Sequence, residues 1–463
     1  MRIRPSNSGQ REQGIIITLV AVFMLFVVGA MAALSIDVVT FYTARSEAQI
    51  AADSAALAAA RVMANSGMTS STGNSTTNPF RVDTTKTLAS AIATQVARQN
   101  LVGGTIPSQI SVTFTEDNPL TGLNNPRVTV KVTSDLPTFF ARIWGTTKVT
   151  MSASATAEAY NPSGLVTNGG EPAGVALSCV KPWLLPNIDP NPNAPANSEI
   201  FNPQTGTIQD PGLLGFSSLI PVAPDGTSLH AACGGGDCSG GLSTPSAWQY
   251  FPADFSQGNS QGNITQATSA SVSCVGGAGF TQYQLNVAGC VPTPINCNAS
   301  NVAIDLNSYP NPPRDADTAF AVDSCLTHTA GAPGSGNPPA PGDSVDPSNP
   351  SPPYPFQFLA GTQNPMVPTS LAGNDILVSD SLVTVPVFDS GPPAAPTVAP
   401  KVQVIGFVQL FLEPDGFHAN FTNMIRTTVI NMVGCGTSAT GAPVYGNGPS
   451  AVPVRLISPQ PAN

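Results

Sequence analysis

The feature that most constrains this chain is an uncharged stretch, Gly14 to Ile36, that runs without a break into an Ala-rich amphipathic segment, with Asp37 at the junction. Its 23 residues are enough, at a rise of about 1.5 Å per residue, to cross a hydrocarbon core of about 30 Å. Arg2, Arg4 and Arg11 precede it and only Arg45 follows closely, an asymmetry that predicts a cytoplasmic N-terminus and places everything beyond Asp37 outside. Phe41 and Tyr42 fall where aromatic side chains sit at a membrane surface. A cleaved secretory signal is the structural rival, because Ile15 to Val28 is a passable apolar region and Ala30-Met31-Ala32 is an A-x-A signal. Both readings export the rest of the chain; length and helical continuation favour a retained anchor.

The 463 residues are enough for two or three domains, and 41% hydrophobic content is enough to build cores. Pro (46) and Gly (42) supply about a fifth of the chain, which predicts a loop-rich composition with few long helices. Residues 1–170 hold 12 Lys/Arg against 9 Asp/Glu, whereas residues 171–463 hold 5 against 18. The distal part therefore repels nucleic acid and anionic lipid, and neither is expected as its partner. All eight cysteines, Cys179, Cys233, Cys238, Cys274, Cys290, Cys297, Cys325 and Cys435, lie in the exported part. An even number confined there predicts disulfides in an oxidising compartment. His230 beside Cys233 and Cys238 makes zinc conceivable, but the spacing fits no standard finger, and no metal or other cofactor is expected.

Past the span, Ala44, Ala48, Ala51, Ala52, Ala55 and Ala59 repeat at helical spacing on one face, and Gly29 with Ala33 extends a small-xxx-small pattern into the apolar segment. Small side chains demand a partner that comes close. Packing on the chain's own domain is the simpler reading; a homo- or hetero-oligomer through this helix is the alternative. Gly67 and the stretch Ser70 to Asn78 predict the end of the helix and a linker. A second helix is expected over Thr85 to Asn100, and strands over Gln109 to Thr115, Arg127 to Thr133 and Lys148 to Ala159. Between the last two, Pro137 to Trp144 reads as a short helix dropping Phe139, Phe140, Ile143 and Trp144 onto the sheet.

These readings give an α+β fold. Residues 1–13 form a cytoplasmic N-terminus, 14–36 a transmembrane helix, 37–160 a helix-plus-antiparallel-sheet domain with a pilin-like outline, and 161–463 a mostly β, loop-rich, disulfide-containing region. Strands in the last part are expected at Ser271 to Cys274, Gln282 to Val287, Asp375 to Val387 and Val402 to Leu412, between Pro-rich runs at Pro186 to Asn197, Ala332 to Pro353 and Gly391 to Pro400.

The run Gly14-Ile-Ile-Ile-Thr through Ala33-Leu-Ser-Ile-Asp37-Val-Val-Thr-Phe-Tyr42, followed by Gln49-Ile-Ala-Ala-Asp53-Ser-Ala-Ala-Leu-Ala-Ala-Ala60, resembles the N-terminal region of TadE/TadG-like proteins of the tight-adherence (Flp) pilus machinery. The likeness covers about residues 11–64. A weaker echo lies in Pro137-Thr-Phe-Phe-Ala-Arg-Ile-Trp-Gly145 and Val149-Thr-Met-Ser-Ala-Ser-Ala-Thr-Ala157. The resemblance implies an inner-membrane or envelope component of pilus assembly whose partners are other Tad/Flp proteins, with no catalytic role established for the family at large. Two departures matter. The fifth residue after Gly14 is Leu19, where peptidase-processed pilin-like members carry Glu, and the Asp-x-Ser-x-Ser metal motif of the larger members' adhesion domain is missing.

Enzyme motifs are missing as well: His230, His328 and His418 stand apart, without G-x-S-x-G, H-E-x-x-H or a P-loop. Asp315 and Asp317 with Asp323 offer oxygen ligands to calcium but lack the Gly and Glu of an EF-hand. Asp37 reads as a hydrated marker of the membrane edge, and Asp53 as a partner for Gln49, for Arg45 of a neighbouring chain, or for water. A non-catalytic, anchored assembly protein is the expected function; a surface adhesin or minor filament subunit, and a secreted protein with a cleaved signal, are the alternatives.

Overall fold

The computed structural model describes residues 9–70, 79–115, 125–163, 173–221 (save 192, 196 and 197), 250–253, 274, 282–289, 294–299, 302–303, 314–329, 341–345, 356–389 (save 357, 366, 377 and 378), 401–418, 424–437, 441–446 and 450–457. Its first element is one continuous helix, α1, Gly9–Ala64. At 56 residues it is roughly 84 Å long. Alanine, the best helix former, sustains its second half, and Gly67, at φ +70°, turns the chain out of it.

The two halves of α1 have opposite surroundings. From Ile16 to Ile36 the large apolar side chains are exposed, with Leu25 and Phe26 among the most open. From Asp37 onward one face is covered: Ala44, Ala48, Ala51, Ala52, Ala55, Ala56, Ala59 and Ala60 are all buried. Two elements cover it. The helix α2, Pro79–Gln99, contributes Ala89, Ala93 and Ala97 and runs antiparallel to α1, since Asn100 Nδ2 donates to Ser54 Oγ (3.2 Å) while the Gly103 N–H reaches Glu47 Oε2 (2.7 Å). The other is an antiparallel sheet of β1 (Gln109–Thr115), β2 (Arg127–Pro137) and β3 (Lys148–Ala159). β2 turns Val128, Val130, Val132 and Leu136 inward and β3 turns Ala155, Ala157 and Ala159 inward, the period-2 alternation of a half-buried strand.

The fourth strand of this sheet comes from the far end of the chain. Val454–Ile457 pairs with β3, Val454 opposite Ala159 and Ile457 opposite Thr156. Glu158 fixes it there: the buried carboxylate binds Arg127 Nε at 3.1 Å on one side and Arg455 at 2.7 Å on the other, while the Arg455 guanidinium lies over the Tyr160 ring. Tyr160 therefore marks a change of composition, and the fold crosses it.

The distal sheet has six strands: β4 (Trp183–Pro186), β5 (Ser217–Pro221), β6 (Phe251–Pro252), β7 (Leu382–Phe388), β8 (Val404–His418) and β9 (Met424–Gly434), in the order β5-β9-β8-β7-β4-β6. Only β7 and β4 pair in parallel. Residues Val404 to Leu412 of β8 are buried without alternation, because both faces of the strand are covered. Phe407, Val404 and Val433 join the core that begins at the α1 alanines, while Ile405, Val408, Phe411 and Ile430 join a second core with Trp183, Tyr250 and Tyr283. Gly406 and Gly434 face each other across β8 and β9, and the Phe201 ring occupies the space their side chains would fill.

The structure corrects the sequence reading in four places. Gln282–Ala288 is a helix, α3, not a strand: Gln282, Gln284 and Asn286 alternate with apolar residues as in a strand, but Tyr283 and Val287 also lie one helical turn apart and both are buried, and over so short a stretch periodicity does not decide. Asp375 to Val387 divides into Asp375–Ile376 and β7. Ser70, the first residue of the expected linker, closes a buried 3-10 turn, Met68–Ser70, and the remainder of that linker, 71–78, lies outside the described residues. The segment after Pro137 forms a 3-10 helix, Ala141–Trp144, but Phe139 and Ile143 are 64% and 74% exposed and do not land on the sheet, whose inner face the α1 alanines already fill. The reading of Ser271 to Cys274 lies, except for Cys274, outside the described residues.

Two predictions follow from this packing. Ala52→Leu inserts three carbons where helix and sheet meet without a gap, so it lowers stability by about 1–3 kcal/mol; thermal melting of the detergent-solubilised chain shows the drop, whereas a face reserved for another chain would leave the melt unchanged. Lys181, buried with its ammonium donating to Val287 O (2.6 Å) and Gly289 O (3.0 Å), is pushed down to about 8 by burial, against an opposing pull from Asp380. Its proton leaves the folded chain at lower pH than the unfolded one, so the cost of burying the charge is fully present below about pH 8 and disappears as pH rises toward 10.5. Melting temperatures of the wild type relative to Lys181→Met therefore rise between pH 7.5 and 10; a constant difference would contradict this.

Candidate functional site

The apolar and alanine halves of α1 meet at Asp37, and the structure gives this residue a partner 102 to 104 positions away. Its carboxylate accepts the backbone N–H groups of Phe139 (3.1 Å), Phe140 (3.0 Å) and Ala141 (2.8 Å). These are the free N–H groups that open the 3-10 helix Ala141–Trp144, and a carboxylate from another element caps them. Asp37 is 1% exposed. The expectation of a hydrated membrane-edge marker is overturned: the carboxylate is occupied inside the protein, tying the β2–β3 connection to the exit of the apolar span.

About three turns further along, Gln49 Nε2 donates to Asp53 Oδ1 (2.8 Å) and reaches Ser154 O of β3 (3.4 Å), so Asp53 takes the in-chain partner among its three candidates. The small residues singled out on α1 separate into two sets. Ala48, Ala52, Ala55 and Ala59 are consumed by the chain's own sheet and α2, so a partner helix would have to use another face. Gly29 and Ala33 lie in the open half, and nothing comes within 4 Å of the place a Gly29 side chain would take.

The other end of α1 is bound to the distal sheet by buried polar groups. Asn431 of β9 donates to Ala64 O, the last carbonyl of the helix, and is bonded to Ser70 Oγ. Ser70 Oγ also donates to Met432 O (2.9 Å). Asn161 Nδ2, arriving just after β3, reaches Thr69 O (3.0 Å) and Met432 O (2.9 Å). Inside a core such groups persist only when satisfied, and this satisfied network fixes one relative placement of helix end and sheet. No sequence signal marks it, because Ser70 and Asn161 sit in polar, turn-forming stretches that look like loops, and Asn431 is a single amide within a β-branched strand.

Cys274 pairs with Cys325 (Cα–Cα 5.4 Å) and Cys297 with Cys435 (Cα–Cα 6.1 Å). The second pair closes 138 residues and staples the end of β9 to the two-residue strand Ile295–Asn296 and the turn after it. Cys179 is disulfide-bonded too; Cys233, Cys238 and Cys290 lie outside the described residues. So do His230, and with it the zinc reading, and the side chains of Asp315, Asp317 and His418. Asp323 sits in a π-helical turn, Val322–Leu326. Among the described residues no three His, Cys, Asp or Glu side chains gather as a metal site. His328 Nε2 lies 3.1 Å from Asp380 Oδ2.

These features define a class: an α+β protein on a long N-terminal helix whose first half is apolar, exposed and long enough to cross a membrane. The comparison with known families names the N-terminal region. Residues 16–62 match the family described as Flp pilus-assembly TadE/G-like, so a Tad pilus-assembly domain occupies the apolar span, Asp37 and the alanine face. No curated protein and no solved structure matches the chain.

The Asp37 cap has a direct test by hydrogen exchange. Asp37→Ala leaves the amides of Phe139, Phe140 and Ala141 without an acceptor, so they exchange faster than in the wild type, while Asp37→Asn, which keeps a side-chain oxygen, lies between the two. Unchanged protection in Asp37→Ala would mean that another group caps the turn.

Proposed function

We propose that the protein is a single-span, membrane-anchored component of Flp pilus assembly, with its N-terminus in the cytoplasm and its bulk outside the inner membrane. The observation that carries this reading is the coincidence of the TadE/G-like match, residues 16–62, with a helix that is uncovered over its apolar half and packed along one face over its alanine half. An exposed apolar helix needs lipid or a partner, and the three arginines before it favour the cytoplasmic side for the N-terminus. The disulfides support an oxidising compartment for the rest.

The protein acts in this reading without catalysis, by contacts with other pilus-assembly proteins in the envelope. A second reading, a surface adhesin or minor filament subunit, rests on the acidic and disulfide-stapled distal region. Fractionation of cells carrying a C-terminally tagged chain, with N-terminal sequencing of the product, separates the two. Full-length protein in the inner membrane is the expected outcome. A chain that begins near Ala33 in sheared filaments or medium would replace anchoring with a cleaved signal.

A further inference from the structure

We propose that the turn Phe139–Trp144 is a second membrane contact, which seats the exported unit on the outer surface of the same bilayer that α1 crosses. The proposal rests on the anchored reading and goes beyond it. Three hydrogen bonds hold the backbone of Phe139, Phe140 and Ala141 to Asp37, and Asp37 is the first residue after the uncharged span. The turn is therefore fixed within one helical turn of the level at which α1 leaves the hydrocarbon, whatever the rest of the protein does.

What the turn presents at that level suits a lipid interface. Phe139 and Ile143 are exposed although their sheet has a complete core. On α1 beside the cap, Val38, Val39 and Tyr42 are exposed as well, Tyr42 at 74%. Exposed Arg142 and Lys148 stand at the same end of the sheet, where phosphate head groups would meet them. Aromatic and apolar groups with cations beside them are what the boundary between head groups and acyl chains accepts. The occupant is a phospholipid bilayer rather than a protein partner, because this apolar surface is continuous with the exposed span. Its consequence is orientation: two contacts, the span and the turn, fix the tilt of α1 and the face that the sheet turns to the envelope, where a span alone leaves rotation free.

The test uses the full-length oxidised protein in bilayer nanodiscs, with one added thiol carrying an environment-sensitive fluorophore. Ile143→Cys reports the turn, Phe26→Cys the span and Thr113→Cys the far side of the sheet. Thr113 pairs with Thr129, eight residues from Pro137 along β2, roughly 26 Å at strand rise. Quencher groups are placed on lipid chains either near the head groups or near the chain ends. The proposal expects the Ile143 label to be quenched several-fold more strongly than the Thr113 label, and most by the shallow quencher, with the Phe26 label quenched most by the deep one. A quenched Phe26 label beside an Ile143 label that behaves like Thr113, open to aqueous iodide, overturns the second contact and leaves the anchor standing. Loss of lipid quenching at both Phe26 and Ile143 overturns the anchored reading itself. An Ile143 label shielded from lipid and from iodide alike overturns the choice of bilayer in favour of a protein contact.

Discussion

The close approach of α1 to its sheet is the contact on which the rest of the structure depends. Helix and sheet meet through methyl groups on both sides, the alanines of α1 against Ala155, Ala157 and Ala159 of β3 with the β2 valines alongside. Each alanine contributes little apolar area, so the stabilisation comes from the number of contacts and from backbone proximity. That proximity is a precondition for the polar contacts at either end. The Asp37 carboxylate reaches the 139–141 amides, and Gln49 reaches a β3 carbonyl, because no bulky side chain holds the elements apart.

The chain is closed on itself in a way that makes the N-terminal and distal parts interdependent. The strand Val454–Ile457 returns to the first sheet beside β3, and the core that starts at Ala44 extends into β8 and β9. Glu158 binds one arginine from each part. A buried carboxylate needs both of its partners, since removing one leaves uncompensated charge in the core. The Pro- and Gly-rich composition of the distal region is therefore compatible with a packed interior: the loops carry those residues while Val404 to Leu412 and its neighbours carry the burial.

Where a local pattern was strong the sequence was informative. The β1 boundaries and the inward Val128, Val130 and Val132 of β2 are those that alternation marks, the β3 boundaries those that its Thr/Ser/Ala-rich composition marks, and the alanine spacing marks the face of α1 that is buried. The failures have a common cause, since each depends on something distant. Whether Gln282 to Ala288 becomes helix or strand is decided by what covers Tyr283 and Val287. The partner of Asp37 lies about a hundred residues on, and those of Ser70 and Asn161 in β9 are further still. Charge at a span's edge and asparagine in a loop have bland local readings, and only the fold distinguishes a committed carboxylate or amide from a solvated one.

The polar contacts at the two ends of the covered half of α1 turn it into a strut. From Asp37 to Ala64 the helix advances roughly 40 Å, with the turn Ala141–Trp144 fixed at one end and the β9 backbone at the other. Between those points every turn is packed on the sheet or α2, with no Gly or Pro inside to act as a hinge. Rotation or tilt of the span must then appear as rigid displacement of the distal sheet, because no compliant segment of α1 absorbs it. In the anchored reading, this coupling gives an envelope partner two equivalent places to act, the span within the membrane and the distal sheet outside it. A partner that engages either one sets the position of the other.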